Sequence, residues 1–355
     1  MKILVVALAG IGDALMFTPA LELAKKEFPD AMFDALVMSK GSEDIFRRLP
    51  QFSKVLRFDF LSEGLIRSLK YIYKLRGQYD YSINVYPANR KEYNIIQYLI
   101  GAKHRAGVRY NRMDKNSLGF LNTVRIPEDD ALHNVEENIL QMQSLLSFSA
   151  PERPALNFPL FEEDEFAAES FIAVNNIRRD VPYVGFHAGC SPLKNHTKRR
   201  WDPDNFIELG KKLISESNVN ILIFGGPEEN ELKTEIKEGI NSSNCFVTDM
   251  KNLGESAALI QKCDVFVTND SSLMHVASAM QRKVVAVIGP TNSAYIHPWK
   301  TDYKIVSLHL ECSPCFFYSP KHLACTRTDT EFKCVREISV DMVSGAVHEY
   351  LDQVN

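Results

Sequence analysis

VFVTNDSSLMHVASAMQRKVVAVIGPT occupies residues 265–291. Residues 265–268 form a short β-branched run, as a buried strand requires. A polar turn, Thr268-Asn269-Asp270-Ser271-Ser272, separates it from residues 271–280, which read as a helix. Residues 283–288 are a second apolar strand, stopped by Gly289-Pro290. Strand, helix and strand in so short a span make a βαβ unit, and such units build parallel sheets with right-handed crossovers. The pattern continues outward. Residues 181–187 and 219–224 read as strands. Asp202-Pro203 opens a helix as N-cap and first helical residue, another helix follows from about Glu228, and residues 340–351 form a closing helix. The first half repeats the theme, with strands at 2–8, 32–38, 54–58 and 79–85 and helices at 14–28 and 61–75. Residues 110–125 and 149–164 read as loops, and Pro151, Pro154 and Pro159 mark a hinge. The expectation is an α/β chain of two βαβ domains joined by a proline-rich linker, without short-period repeats.

Composition narrows the function. Of 355 residues, 45% are hydrophobic and 24% charged, an ordinary globular mixture that excludes disordered, collagen-like and low-complexity chains. No apolar run approaches the ~20 residues of a membrane span, and the first run stops at Gly10, too short for a signal peptide. The chain reads as cytoplasmic. Seven cysteines, an odd number in a long chain, do not make a secreted disulfide scaffold. The net charge of −4 is unevenly spread: residues 40–125 carry 17 basic and 7 acidic side chains, whereas residues 151–355 are acidic in excess. A basic patch in such a chain points to an anionic partner.

In parallel sheets, ligands bind at the carboxyl ends of strands. Four strand ends carry polar or glycine-rich turns, at residues 10–13, 187–191, 225–229 and 268–275. Gly10-Ile11-Gly12-Asp13 begins like a dinucleotide fingerprint, but Leu15 stands where a third glycine belongs and no acid ends the second strand, so a nicotinamide cofactor is not expected. Asp13 is either a cap for free helix N–H groups or a general base at a strand-to-helix turn. After the 265–268 strand, the helix start, Ser271 and Ser272 make an anion site, with His275 on the same helix face. Asp270 alone reads equally as an N-cap, and His275 as a buried, satisfied histidine. Together they point to phosphate. Lys198-Arg199-Arg200-Trp201 is an exposed loop or a diphosphate clamp. Glu229 is a first-turn acid favoured by the helix dipole or an acceptor for ribose hydroxyls.

These segments jointly resemble glycosyltransferase family 9, the lipopolysaccharide heptosyltransferase family. The resemblance rests on GIGDALMFTPAL at 10–21, FHAGCSPLKNHTKRRW at 186–201, FGGPEE at 224–229, TNDSSLMHVASAM at 268–280 and VVAVIGPT at 284–291. It implies a GT-B fold, two Rossmann-like domains with parallel sheets facing across a cleft. Residues 1–165 would take the acceptor and 166–337 the nucleotide sugar, with 338–355 packing back on the first domain. Carried over by position, Asp13 becomes the catalytic base and Gly10 and Gly12 its turn. Lys198 or Arg199 would stabilise the leaving diphosphate, Glu229 would contact the nucleoside, and Asp270, Ser271, Ser272 and His275 would hold diphosphate and sugar. Two positions depart from the family pattern: Ser272 stands where glycine is common, and Arg199 where lysine is usual. The implied reaction is an inverting transfer, most simply of heptose from ADP-heptose to a lipopolysaccharide-core acceptor, without cofactor, metal or nucleic acid. The anionic glycolipid acceptor would be drawn to the basic stretch through residues such as Arg47, Arg48, Arg105, Arg109 and Arg112, with peripheral contact at the inner membrane face.

Two other readings stay open, a family member with another donor and glycan acceptor, and a non-catalytic nucleotide-sugar-binding protein. Asp202-Pro203-Asp204 matches D-x-D formally but reads as a helix cap. Cys312, Cys315, Cys325 and Cys334 are spaced C-x2-C-x9-C-x8-C, a pattern shared by structural zinc clips and by free or redox-linked thiols.

Overall fold

The structure is a computed structural model that describes residues 1–190, 193–317 and 323–353. These fall into two compact units, residues 1–159 and the described residues from Leu160 onward. Each unit is a six-stranded, all-parallel sheet.

In the first unit the strands are β1 (Lys2–Ala7), β2 (Met32–Val37), β3 (Phe52–Arg57), β4 (Tyr81–Asn84), β5 (His104–Arg109) and β6 (Val124–Pro127). They lie in the order β3-β2-β1-β4-β5-β6. β1 is central and buried from Ile3 to Ala7, which is why its sequence is continuously apolar rather than alternating. The following helix, Ile11–Glu27, packs against the Asn134–Leu146 helix. Pro19 lies inside it and has no N–H for the Leu15 carbonyl. The Thr18 hydroxyl donates to that carbonyl instead (2.8 Å), and accepts from the Asn157 N–H (2.9 Å). The broken helical bond thus becomes a tie to the segment that closes the unit.

In the second unit the strands are β7 (Tyr183–His187), β8 (Asn220–Ile223), β9 (Cys245–Val247), β10 (Val265–Asn269), β11 (Lys283–Val287) and β12 (Tyr303–Val306), ordered β12-β11-β10-β7-β8-β9. Both sheets therefore follow the doubly wound 3-2-1-4-5-6 order, reversing between the first and fourth strands of the unit. At such a reversal the flanking loops diverge and leave a crevice. The reversals place Asp13 at the end of β1, and the ends of β7 and β10 beside each other.

Two expected boundaries shift. The Glu162–Val174 helix packs against Leu253–Gln261, so the division falls at 159/160 rather than 165/166. The closing helix, Val340–Leu351, falls within the second unit instead of forming a segment of its own. Val340, Val343, Val347, Tyr350 and Leu351 join the second unit's core with Phe206, Leu209, Leu213 and Val285. Val347 is completely buried there, so Val347→Asp places an unpaired charge in that core. We expect a loss of at least ~2 kcal/mol, read as a lower melting temperature. Glu349→Ala, which breaks only the solvent-side Lys304–Glu349 pair, should cost under ~1 kcal/mol. Equal melting of Val347→Asp and the wild type would remove the helix from the core.

Candidate active site

The first unit presents Asp13 at the switch between β1 and β4. Gly10 is the N-cap of the Ile11–Glu27 helix, with extended backbone open to any residue (φ −77°, ψ 175°). The Gly10 N–H donates to Asp13 Oδ2 at 2.9 Å. The capping geometry is thus real, and it fixes the carboxylate at the sheet edge. Tyr93 and Tyr110 both lie within its field: burial raises both phenols and Asp13 adds to the effect. Next to them is a buried network that sequence reading missed. The Tyr86 hydroxyl donates to Glu128 Oε1 (2.9 Å), the Asn111 N–H to Glu128 Oε2 (2.8 Å) and the Asp129 N–H to Glu137 Oε1 (2.7 Å). Glu137 Oε2 has no partner among the described residues. Burial, with Glu128, Asp129 and Asp130 nearby, pushes the Glu137 carboxyl up to about 7. Nothing in the sequence singles it out, because Asn134, Asn138 and Gln141 are turned to the inner side of the same helix.

A raised acid binds its proton more tightly when folded, so its contribution is complete below about 4.5 and lost as pH rises through about 7. The loss should reach at most ~3 kcal/mol. Glu137→Gln keeps the neutral shape and should flatten stability between about pH 5 and about pH 8 relative to the wild type, measured by urea melts. Parallel pH profiles for the two proteins would contradict the assignment.

In the second unit the polar turns converge. His187 ends β7 and is buried. Its Nδ1 lies 2.8 Å from Ser271 Oγ, and its Nε2 3.1 Å from Glu229 Oε2. The Gly226 N–H also donates to Glu229 Oε2 (3.2 Å), and Arg200 Nη2 lies 3.6 Å from Glu229 Oε1. Burial alone would raise the Glu229 carboxyl; the His187 hydrogen bond and charge, the Gly226 N–H and Arg200 outweigh it and hold it below the usual range. Gly189 makes this approach possible, since a Cβ there would lie 1.7 Å from Glu229 Oε1.

A second cluster forms at the end of β10. Asp270 Oδ2 pairs with Arg199 Nη1 and accepts from the Thr291 hydroxyl at 2.7 Å. Arg199 also donates toward His196 Nδ1 (3.1 Å), and its guanidinium lies 5.4 Å from the Phe316 ring centre. Arg199 Nε and Arg200 Nε are buried and have no partner among the described residues. Ser271 is the N-cap of the Ser272–Ala279 helix, but its side chain makes no cap bond. The hydroxyl is taken by His187 and Thr268 (3.0 Å), so the first amides of the helix keep their capacity for an anion. Ser272 is half-buried beside them.

His275 sits one turn further in and is buried. Burial pushes it down to about 4, with Asp270 opposing and His297 adding, and its Nδ1 has no partner among the described residues. It is therefore a neutral hydrogen-bonding group near pH 7, not a cation. Lys198 stands apart, exposed and 3.5 Å from Glu331. Ser191, at the end of the 187–191 turn, lies outside the described residues.

Glycosyltransferase family 9 (heptosyltransferase) matches residues 68–323. The chain belongs to this family. Lipopolysaccharide heptosyltransferase 2 of Salmonella typhimurium is 25% identical over 319 residues, covering 87% of this chain and 88% of that protein. The structure of Escherichia coli ADP-heptose lps heptosyltransferase II aligns with a TM-score of 0.77 and 21% identity, over 100% of this chain and 99% of that one. Escherichia coli heptosyltransferase WaaC with ADP-2-deoxy-2-fluoro heptose aligns with a TM-score of 0.67 and 18% identity, over 100% of both chains. The fold class is GT-B, and the chain is a glycosyltransferase.

Within this family member the remaining candidates sort by contact. Asp202 accepts from the Asp204 N–H (3.0 Å), so the D-x-D is a helix cap. Cys312, Cys315 and Cys325 lie close enough to influence the Cys334 thiol, which burial raises to about 11. Among the described residues no three metal-ligating side chains converge. Of the arginines singled out in residues 40–125, Arg47 pairs with Glu43, Arg112 with Asp130, Arg48 donates to the Pro159 carbonyl and Arg105 to those of Ala102 and Leu121. Arg109 makes no such contact among the described residues.

On the expectation that these turns hold a nucleotide diphosphate, the contacts predict an order for its binding. Arg199→Ala should weaken ADP about ten- to hundredfold, the worth of a charge-assisted contact. Gly189→Ala, by displacing Glu229, should also weaken it, whereas Lys198→Ala should leave it within about twofold. Calorimetry in which Lys198→Ala matches Arg199→Ala would reject this sorting.

Proposed function

We propose that this chain is an inverting heptosyltransferase that moves heptose from ADP-heptose to an anionic, lipopolysaccharide-core type acceptor. The observation that carries the reading is the convergence, at the β7/β10 reversal, of two arginine-held carboxylates and an uncapped helix start. The names and bound donors of the relatives support the sugar and the acceptor class. In this reading Arg199 and the first amides at Ser272 hold the diphosphate. Glu229, held by His187, accepts from the nucleoside. Asp270 accepts from sugar hydroxyls while fixing Arg199, and neutral His275 supplies a hydrogen bond.

The reaction is a single displacement. The acceptor oxygen forms a bond to the anomeric carbon while the bond from that carbon to the diphosphate oxygen breaks. The bonding electrons leave with ADP, whose charge Arg199 and the helix amides stabilise. The acceptor proton passes to the Asp13 carboxylate, oriented by the Gly10 N–H. This division of labour is complete without a metal or a cofactor. No helix among the described residues is long and apolar enough to cross a membrane. That suits work at the cytoplasmic face of the inner membrane, in peripheral contact with its surface.

Asp13→Asn keeps the cap's shape but removes the base. Turnover should fall about 10²–10⁴-fold while ADP affinity stays unchanged, measured by ADP release and by calorimetry. Turnover within a few-fold of wild type would reduce Asp13 to a cap.

A further inference from the structure

The Gly64–Leu75 helix of the first unit has an outer face that its fold does not use. Ser68, Ile72 and Leu75 are turned inward, and Tyr71 stacks on Phe58 with ring centres 4.3 Å apart, so the helix is firmly seated. Its other side, with the turn before it, leaves large apolar residues in water: Leu61 in the turn is 69% exposed, and on the helix Leu65 is 74%, Ile66 71%, Leu69 46% and Tyr73 77%. Leu65, Leu69 and Tyr73 are spaced four apart on the helix and form one ridge, with Ile66 beside it, and Leu61 lies in the turn that leads into it. The approach is ordered too, because Asp59 Oδ1 accepts from the Leu61 N–H (3.0 Å). Such a contiguous apolar ridge on a soluble surface marks a contact site.

The charges choose the partner. Lys70 and Lys74 are exposed between the apolar residues and have no ion-pair partner among the described residues, and Arg67 pairs only with Glu63 at the surface (2.9 Å). Apolar residues interleaved with basic ones are the pattern of a helix lying in an anionic lipid interface, where leucine and tyrosine side chains enter the headgroup boundary and lysines meet lipid phosphates. A water-soluble anion would not need the apolar ridge. The position fits as well. β3 runs parallel to β1, so residues 58–63 and the start of this helix leave the sheet at the same edge as Gly10 and Asp13. A membrane bound there lies on the edge that carries the proposed base.

We infer that the outer face of the Gly64–Leu75 helix docks on anionic lipid and seats the first unit on the membrane surface. The inference deepens the reading of a membrane-borne acceptor and rests on it. Its test uses the full chain with vesicles that contain no acceptor, so transfer activity plays no part in the outcome. The wild type should co-sediment with phosphatidylglycerol vesicles and much less with phosphatidylcholine vesicles. Leu65→Ser/Ile66→Ser/Tyr73→Ser and Lys70→Glu/Lys74→Glu should each lower partitioning at least about tenfold, with unchanged melting temperature and ADP affinity as evidence of folding. The inference is overturned if the wild type does not bind, or if both variants bind equally well. It is also overturned if light scattering shows a dimer that the serine variant dissolves, since the face would then belong to a second copy. Loss of heptosyl transfer with vesicle binding intact would refute the catalytic reading and leave this one standing.

Discussion

One buried carboxamide holds the second unit's site together. Asn269, at the end of β10, donates from Nδ2 to the Ala188 carbonyl (2.7 Å) and accepts at Oδ1 from the Trp201 N–H (2.9 Å). It thus fastens to one strand end both the segment leaving β7 and the segment entering the Pro203–Ser217 helix. Neither backbone group has water to turn to, so losing the side chain would strand both. Trp201 is itself buried, its indole donating to the Ile338 carbonyl (2.8 Å). With Trp201 pinned, Arg199 and Arg200 must emerge at the β7/β10 reversal. With Ala188 pinned, His187 and Gly189 flank the same point.

The charges then organise themselves in pairs. Arg199 meets Asp270 and Arg200 meets Glu229, all four mostly out of water. Buried ion pairs seldom repay their desolvation as stability. In the proposed reaction their value would be that charged donors are already aimed before a ligand arrives, the condition under which electrostatic stabilisation of a leaving group costs least reorganisation. The Nε atoms of both arginines, without partners among the described residues, and the uncapped start of the Ser272–Ala279 helix leave donors in reserve. The first unit follows the same topology with different chemistry. One carboxylate is set by a helix start, beside phenols and a network of buried acids.

Much of the fold could be read in advance, because buried parallel strands are continuous apolar runs. The 265–288 reading matches β10, the Ser272–Ala279 helix and β11 to within a residue or so at each end. β5 and β6 were missed because His104, Arg105 and Arg109 at the margins of β5, and the short V-R-I-P of β6, hide the pattern; these strands pair laterally with little apolar sequence of their own. The Asn134–Leu146 helix escaped notice because Asn134, Glu137, Asn138 and Gln141 face inward, where they serve strand ends rather than solvent. Of the candidate site, the turns that carry Glu229, Asp270, Ser271 and Arg199 could be picked out in the sequence, and these side chains do lie near one another. His187, Arg200, Thr291 and Asn269 were less so, because their roles come from contacts made across 21 to 92 positions of chain. His275 is buried, as one of its two readings had it, and the depth of that burial is not visible in any local pattern.

The central claim is that the nucleotide diphosphate sits on the preorganised end of β10 in the second unit. Hydrogen exchange of the full chain with and without ADP tests it directly. The account predicts slower exchange in peptides spanning residues 186–201 and 265–280, with the amides at the start of the Ser272–Ala279 helix among those protected, and little change around Gly10 and Asp13. Protection confined to the first unit, or none at the β7/β10 reversal at saturating ADP, would contradict it.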